Sequence, residues 1–394
     1  MVGIIQEQHP DRCRLFMQWK QMEWPILVDS LDLLGVSGVP LTIAIDEHGI
    51  VRATGLRLAE AGKIEESFLD QEYDTPPDTA ATAPAAKPDL GALEQRTHDG
   101  GAAAWRRYGD ALVLWGGENR IDDAIAAYRQ AIKLAPEDGP SHFRLGVALR
   151  MRYDLGPNHD HGGDVSDFQE AVESWRTALD IDPNQYIWRR RIQQYGPRLD
   201  KPYPFYDWVA GARREIRARG ETPAELRVEP GGAEFAKPSD TFAISAAPAT
   251  EPDPKGRIRR DTEGLIELET VVVPPTVAPG GSARVHLIFR PNQAIQAHWN
   301  NEAGDMEVWL DSAGDWELSR RRLSISNPPE LVSIEDRHLE FEVKAPAGAK
   351  PGPHSLTGYA LYYVCEDAGG TCLYRRQDIK IPLRLEKPAP PAGS

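Results

Sequence analysis

The chain holds three cysteines, Cys13, Cys365 and Cys372, and the last two are the residues best placed to do chemistry. They sit in the run Tyr362-Tyr363-Val364-Cys365-Glu366-Asp367-Ala368-Gly369-Gly370-Thr371-Cys372-Leu373-Tyr374, six residues apart, with a Gly-Gly to supply a tight return. The flanking runs, Ser355–Val364 and Gln377–Leu385, are strand-like. Paired in register, they bring the two sulfurs face to face at a hairpin mouth, where cross-strand Cα separations of about 4.5–5.5 Å overlap the range a disulfide tolerates. Two chemistries fit this spacing equally. One is a staple, in which closing a loop of about eight residues contributes roughly 2.5 kcal/mol through chain entropy. The other is a dithiol that exchanges with another protein by thiolate attack. Solvent access at a hairpin tip, flexible glycines and aromatic shielding suit exchange, whereas Glu366 and Asp367 raise the thiol pKa and slow attack.

Cys13 reads differently. It falls on the helical stretch Pro10–Met22 near Phe16 and Trp19, on an apolar stripe, and behaves as a small buried hydrophobe. Three cysteines exclude a disulfide-rich scaffold and a four-cysteine zinc site. The cluster His159-Asp160-His161 has metal-ligating residue types, but its Gly-rich setting from Asn158 to Asp164 reads as a solvated turn. Arg189-Arg190-Arg191 likewise reads as a solvated helix face. The sequence therefore calls for no metal and no cofactor.

Composition narrows the partners. With 394 residues the chain is too long for one ordinary domain, and 41% hydrophobic content with 10 Trp, 12 Tyr and 9 Phe is enough for real cores. Lys and Arg total 45 against 60 Asp and Glu, a formal net charge of −15. That balance argues against a nucleic-acid partner, whose phosphates draw affinity from concentrated basic residues, and against an anionic membrane surface. No apolar run approaches the roughly 20 residues that span a bilayer, so no transmembrane segment is expected. The first residues show no basic region followed by an apolar stretch, so no signal peptide is expected in the chain as given.

The elements that must position the cysteines follow from composition shifts. Asp74–Pro88 is rich in Pro, Ala and Thr, and Glu229–Arg260 in Pro and Gly. The expected division is 1–72, a linker over 73–89, 90–226, a second linker over 227–261, 262–386, and a frayed tail over 387–394. In the first part, Val2–Gln6 suits a buried strand, Pro10–Met22 a helix with Pro in its first turn, and Pro25–Val28 a short strand. Leu41–Asp46 and Ile50–Ala53 flank the turn Asp46-Glu47-His48-Gly49, and Leu58–Gln71 suits a closing helix. In the middle, Ala124-x3-Tyr128-x2-Ala131-x4-Pro136 recurs as Ala171-x3-Trp175-x2-Ala178-x4-Pro183, 47 residues on, which is a period of 34 plus an insertion of 13. Leu145-Gly146 permits close helix packing, Trp188-x3-Ile192-x2-Tyr195 begins a third unit, and Tyr206–Arg219 suits a capping helix. In the last part, Leu265–Val273, Ala283–Phe289, Glu307–Leu310 and Leu339–Val343 precede the cysteine hairpin, as in an antiparallel sandwich.

Three resemblances add to this. The run from Gly35 to Val51 resembles the second half of a thioredoxin-like redoxin domain, in which a cis Val-Pro bond closes against the active-site cysteines. It implies that Val39 and Pro40 contact a substrate chain. The family's redox cysteine precedes the strand that here begins at Val2, so the resemblance implies a partial domain without its nucleophile, through a start codon placed late or a degenerate half-domain. The middle spacing is that of tetratricopeptide repeats, which bind a partner peptide in a concave groove; a spacer or a dimer face fits two and a half units equally. The last part resembles the immunoglobulin-like N-terminal domain of the bacterial thiol:disulfide interchange protein DsbD. The matching residues are Tyr363–Tyr374, Ile379-Lys380-Ile381-Pro382-Leu383 and His298-Trp299-Asn300-Asn301-Glu302-Ala303-Gly304-Asp305.

That last resemblance implies Cys365 and Cys372 as a redox pair, Tyr363 and Tyr374 as flanking aromatics that meet the partner, and a periplasmic or otherwise extracytoplasmic location. The loop is one residue longer than the family's, and Arg375 stands where the family has a proline. The expected architecture is thus multidomain: a partial thioredoxin-like α/β part, all-α tetratricopeptide-like repeats, then an immunoglobulin-like β-sandwich. The expected function is thiol–disulfide relay through Cys365 and Cys372, with the repeats binding a protein partner. The alternative is a non-catalytic adaptor with a structural disulfide.

Overall fold

A computed structural model describes residues 2–36, 41–54, 68–69, 71–74, 87–156, 166–196, 206–231, 250–311, 314–366 and 371–386. The Val39-Pro40 pair, most of the expected helix Leu58–Gln71, the His159-Asp160-His161 cluster and the Gly369-Gly370 return lie outside the described residues. The chain is a multidomain protein of mixed α and β structure, and no described helix is long and apolar enough to cross a membrane.

In the first part, β1 (Gly3–Ile5) and β2 (Ile26–Val28) pair in parallel, joined by α1 (Pro10–Lys20), which has Pro at its start and Asp11 in its first turn. β3 (Ile43–Ile45) and β4 (Val51–Thr54) form a separate antiparallel hairpin. The Asp46 carboxylate closes its turn by accepting from the backbone N–H groups of His48 and Ile50 at 2.9 Å each, and from Arg52. The expected buried strand at Val2–Gln6 is corrected by these contacts. Among the described residues β1 pairs only with β2, and Ile4 is 49% exposed and its neighbour Leu27 57% exposed.

The middle part is helical: α2 (Leu90–Arg96), α3 (Gly101–Ala111), α4 (Ile121–Leu134), α5 (Gly139–Asp154), α6 (Asp167–Ile181) and α7 (Tyr186–Gln193). Asp89 caps α2 by accepting from the N–H groups of Gly91 and Ala92. The recurring Ala–aromatic–Ala positions do what their spacing predicts. Ala124 and Tyr128 on α4, and Ala171, Trp175 and Ala178 on α6, point into one core, and Ala131 on α4 is fully buried as well. Small residues let adjacent helices approach, and the rings fill the space between them. Gly146 on α5 lies directly under Trp175, where a Cβ would come within 2.5 Å of the indole nitrogen.

The helix expected to cap the array, α8 (Trp208–Ala218), packs elsewhere. Its Trp208 stacks on Trp19 of α1 with centroids 5.8 Å apart, and Val209 and Ile216 share a core with Leu15. The apolar stripe of α8 was readable; its partner was not, because the contact with Leu15 and Trp19 of α1 joins residues nearly 200 apart in sequence.

The last part is a two-layered sandwich. One sheet has the order β5 (Ile266–Val273), β6 (Ser282–Pro291), β12 (Arg337–Lys344), β9 (Glu317–Leu318). The other is built on the long strand β13 (Gly352–Cys365), with β14 (Cys372–Leu385) along one edge and both β7 (His298–Asn300) and β8 (Met306–Leu310) along the other; β11 (Val332–Ser333) and β10 (Arg322–Ile325) extend those two. Inward side chains of both sheets, among them Val285, Leu287, Phe289, Trp299, Val308, Tyr362 and Ile381, form one hydrophobic core.

Two features of the sandwich depart from the expected picture. The stretch 227–261 is read from composition as a linker, yet its described part from 250 onward is pinned to the outer face of the β13 sheet. Arg376 donates to the Asp253 carboxylate at 3.0 Å and Arg260 to Asp378 at 2.7 Å. The outer face of the β5–β6–β12 sheet is buried too. Val271, Val273 and Ile288 join the helical core, and Arg284, His286 and Arg290 between them are buried. The helices therefore bridge the molecule, since on another side Trp188 donates to Asp32 and Arg144 to the Leu31 carbonyl of the first part.

Candidate functional site

The β13–β14 ladder runs unbroken from the Gly352–Leu385 pair to the Cys365–Cys372 pair, so fourteen-residue strands deliver the two cysteines directly opposite each other. They are joined by a disulfide, with Cα atoms 3.9 Å apart. Beyond them the Glu366 N–H donates to the Thr371 carbonyl at 3.2 Å, closing the mouth.

Strand alternation decides which face the sulfurs occupy. Tyr362 and Val364 point into the sandwich core, so Cys365, Tyr363, Leu361 and Tyr359 lie on the outer face, with Cys372, Tyr374, Arg376 and Asp378 opposite them. That face is covered along only part of its length. Ile258 packs on Trp309, Tyr359 and Leu361, and the Arg376 guanidinium lies over the Tyr359 ring at 3.7 Å while gripping Asp253. Past this cover come Tyr363 and Tyr374, then the disulfide.

The two tyrosines are a directly opposed pair, stacked with centroids 4.4 Å apart. Burial, with Tyr363 and Glu307 adding to it, pushes the Tyr374 phenol up to about 12, so it stays a neutral hydroxyl. On the other edge of β13, His298 pairs with Cys365 and Trp299 with Val364. The following loop is held by Asn327, whose amide donates to the carbonyls of Asn301 and Ala303, and it brings Gly304 against the Tyr363 ring. The stretch from His298 to Asp305 thus borders the disulfide.

The two sulfurs differ in access. Cys365 is 2% exposed, whereas Cys372 is exposed. Of the two residues, Cys372 is therefore the more accessible from solvent.

Val39 and Pro40 cannot be placed beside this pair because they lie outside the described residues. Cys13 is an unbonded, buried thiol on α1. Burial and the nearby Glu7 push its pKa up, which suits a packing role rather than a nucleophile. It lines a cavity of about 820 Å³ between the first part and α7, with Phe16, Ile43 and Trp208.

Sequence reasoning passed over a second cluster. His286 on β6 and His338 and Glu340 on β12 lie together at the seam between sandwich and helices. The spacing His338-x-Glu340 puts two ligand types on one strand face, which was the available signal.

The chain matches no family model and no curated protein. Solved structures give faint likenesses. A protein of unknown function from Porphyromonas gingivalis W83 is 18% identical over 33% of this chain and 51% of its own, with a TM-score of 0.20, so the match spans about half of that structure's length. BslA, a bacterial hydrophobin, is 15% identical over 31% of this chain and 96% of its own, TM-score 0.19. Spo0M, a sporulation control protein from Bacillus subtilis, is 10% identical over 32% and 51%, TM-score 0.17. Scores this low carry no argument about fold or function.

Proposed function

We propose that the chain is a thiol–disulfide redox protein of the bacterial envelope, passing electrons through Cys365 and Cys372. The observation that carries this reading is the unequal exposure of the two residues of a cross-strand disulfide, Cys365 buried and Cys372 exposed. A partner thiolate attacks the exposed Cys372 sulfur, and Cys365 leaves as a thiolate, giving a mixed disulfide. A second partner thiolate then attacks the partner's own sulfur in that bond and releases Cys372. Two electrons and two protons have moved from the partner dithiol to the pair. The reverse sequence, begun by the Cys372 thiolate, passes them to an acceptor disulfide.

In this reading the sandwich is an immunoglobulin-like domain related to the N-terminal domain of DsbD, and Tyr363 and Tyr374 form the floor on which the partner's chain rests. The helices are tetratricopeptide-like, and the first part is a partial thioredoxin-like domain. Because the helices pack against both other parts, their role is to fix the redox sandwich relative to the first part as well as to receive a protein partner. Disulfide use fits an oxidising compartment.

The second reading, a non-catalytic adaptor, is favoured by one observation: the long β13–β14 ladder would hold the cysteines together without exchange. Trapping separates the two. With its Cys372 sulfur first activated as the thionitrobenzoate mixed disulfide, a Cys365→Ser variant is attacked there by the thiolate of a single-cysteine thioredoxin-type probe, which releases thionitrobenzoate and leaves a trapped mixed disulfide through Cys372 if the relay operates. A structural bond gives a variant that captures nothing.

A further inference from the structure

The cluster at the seam has the geometry of an empty metal site. His286 lies opposite Glu340 across the β6–β12 pair, and His338 is two residues from Glu340 on the same face. His286 Nδ1 is 3.0 Å from His338 Nε2 and 3.5 Å from Glu340 Oε1, and His338 Nε2 is 3.6 Å from Glu340 Oε1. Ligand atoms about 2.0–2.2 Å from a tetrahedral zinc ion stand about 3.3–3.5 Å from one another. The three atoms already form one face of that tetrahedron.

The groups behind them set the protonation such a site needs. His286 Nε2 is 2.8 Å from the Tyr195 carbonyl, which can only accept, so Nε2 carries the proton and Nδ1 presents its lone pair to the cluster. Arg284 donates to Glu340 Oε2 at 2.6 Å and leaves Oε1 to face the histidines; its other arm is matched by Glu342. Burial opposes the Glu340 charge, but His286, His338 and Arg284 outweigh it and hold the carboxyl well below its usual range.

Access is one-sided. The His286 side chain is 2% exposed and that of Glu340 11%, while His338 keeps 37% of its surface. His338 is thus the solvent-facing edge of the cluster. Two imidazoles and one carboxylate select a first-row transition dication over calcium or magnesium.

We propose that His286, His338 and Glu340 bind one Zn²⁺ through Nδ1, Nε2 and Oε1, bracing the seam between the sandwich and the helices. The second half of that statement rests on the Tyr195 and Phe168 contacts of His286, which belong to the helical core. This inference is independent of the redox reading.

The test uses the full chain, disulfide intact, stripped with a chelator and titrated with Co²⁺ and then Zn²⁺. The expected result is one equivalent taken up, visible bands of four-coordinate cobalt without a thiolate charge-transfer band, displacement by Zn²⁺, and a raised Tm. His338→Gln, at the open edge, is expected to lower the affinity at least about tenfold while folding is retained. Histidine ¹⁵N shifts of the unaltered chain, showing attachment at Nδ1 of one ring and Nε2 of another, read the same claim without any substitution. No uptake by the unaltered chain overturns the proposal. So does uptake undiminished in folded His338→Gln and Glu340→Gln, or uptake lost on His159→Ala, which would assign the ion to the His159-Asp160-His161 cluster instead.

Discussion

Tyr363 and Tyr374 stack across the β13–β14 ladder two residues from Cys365 and Cys372, on the same face as the disulfide, with ring planes 21° from parallel. An aromatic step therefore adjoins the bond on its covered side, and the mouth beyond it is open at Cys372. Stacked pairs of this kind contribute about 0.5–1.5 kcal/mol beyond their buried area. Tyr363→Ala is expected to lower stability by about that amount or slightly more, measured by urea unfolding, and to speed reduction of the disulfide by dithiothreitol. Unchanged reduction kinetics would show that the ring gives no shielding.

The unequal exposure of the cysteines predicts unequal reactivity. With Cys13 replaced by Ser in both variants, the Cys372 thiol of Cys365→Ser is expected to react with an uncharged alkylating reagent at least about tenfold faster than Cys365 does in Cys372→Ser, since access and thiolate character govern the rate. Stopped-flow alkylation reads both. Equal rates would remove the order of attack argued above.

Gly146 tests the helical packing. A Cβ there would meet the Trp175 indole at 2.5 Å and the Ala171 carbonyl oxygen at 2.9 Å, and the latter is backbone that cannot rotate away. Overpacking of this kind costs typically about 1–3 kcal/mol. Gly146→Ala is expected to fall in that range by chemical denaturation, although alanine is the better helix former.

These cases also mark what sequence alone discloses. The Ala124, Tyr128, Ala131 pattern and its copy were readable because a helix repeats every 3.6 residues and buries one stripe. The cysteine register was readable because strands alternate every two residues and the hairpin ends are fixed by the pair itself. Alternation along β6 also separates Ala283, Val285, Leu287 and Phe289 from Arg284, His286, Ile288 and Arg290. It tells which set faces the sandwich core, but not that helices cover the other set, because that burial comes from contacts such as His286 with Tyr195, 91 residues apart in sequence. Polar residues that look solvated in a strand pattern are here the buried lining of a seam. The exposed faces of β1 and β2 were missed for the converse reason: apolar composition signals burial only where a neighbour exists to provide it.

The seam gives a pH dependence of defined sign. His338 has a folded pKa of about 4, below its unfolded value near 6.5. Between those values the unfolded chain binds the extra proton, so this group's contribution is whole above about pH 6.5 and is lost as the pH falls toward 4. Burial likewise lowers His9, with Arg12, Arg150 and Arg191 adding to it, and acts in the same direction. Metal-free protein is expected to lose Tm steadily over that window, and His338→Gln to lose less. A flat profile in both would mean that His338 titrates as in solution.

The account turns most directly on the reduction potential of the Cys365–Cys372 pair, measured by equilibration with glutathione or dithiothreitol buffers and thiol alkylation. A relay predicts a value above about −300 mV, within reach of thiol partners. A value well below about −300 mV, the range of structural disulfides, would contradict it and leave the pair as a staple.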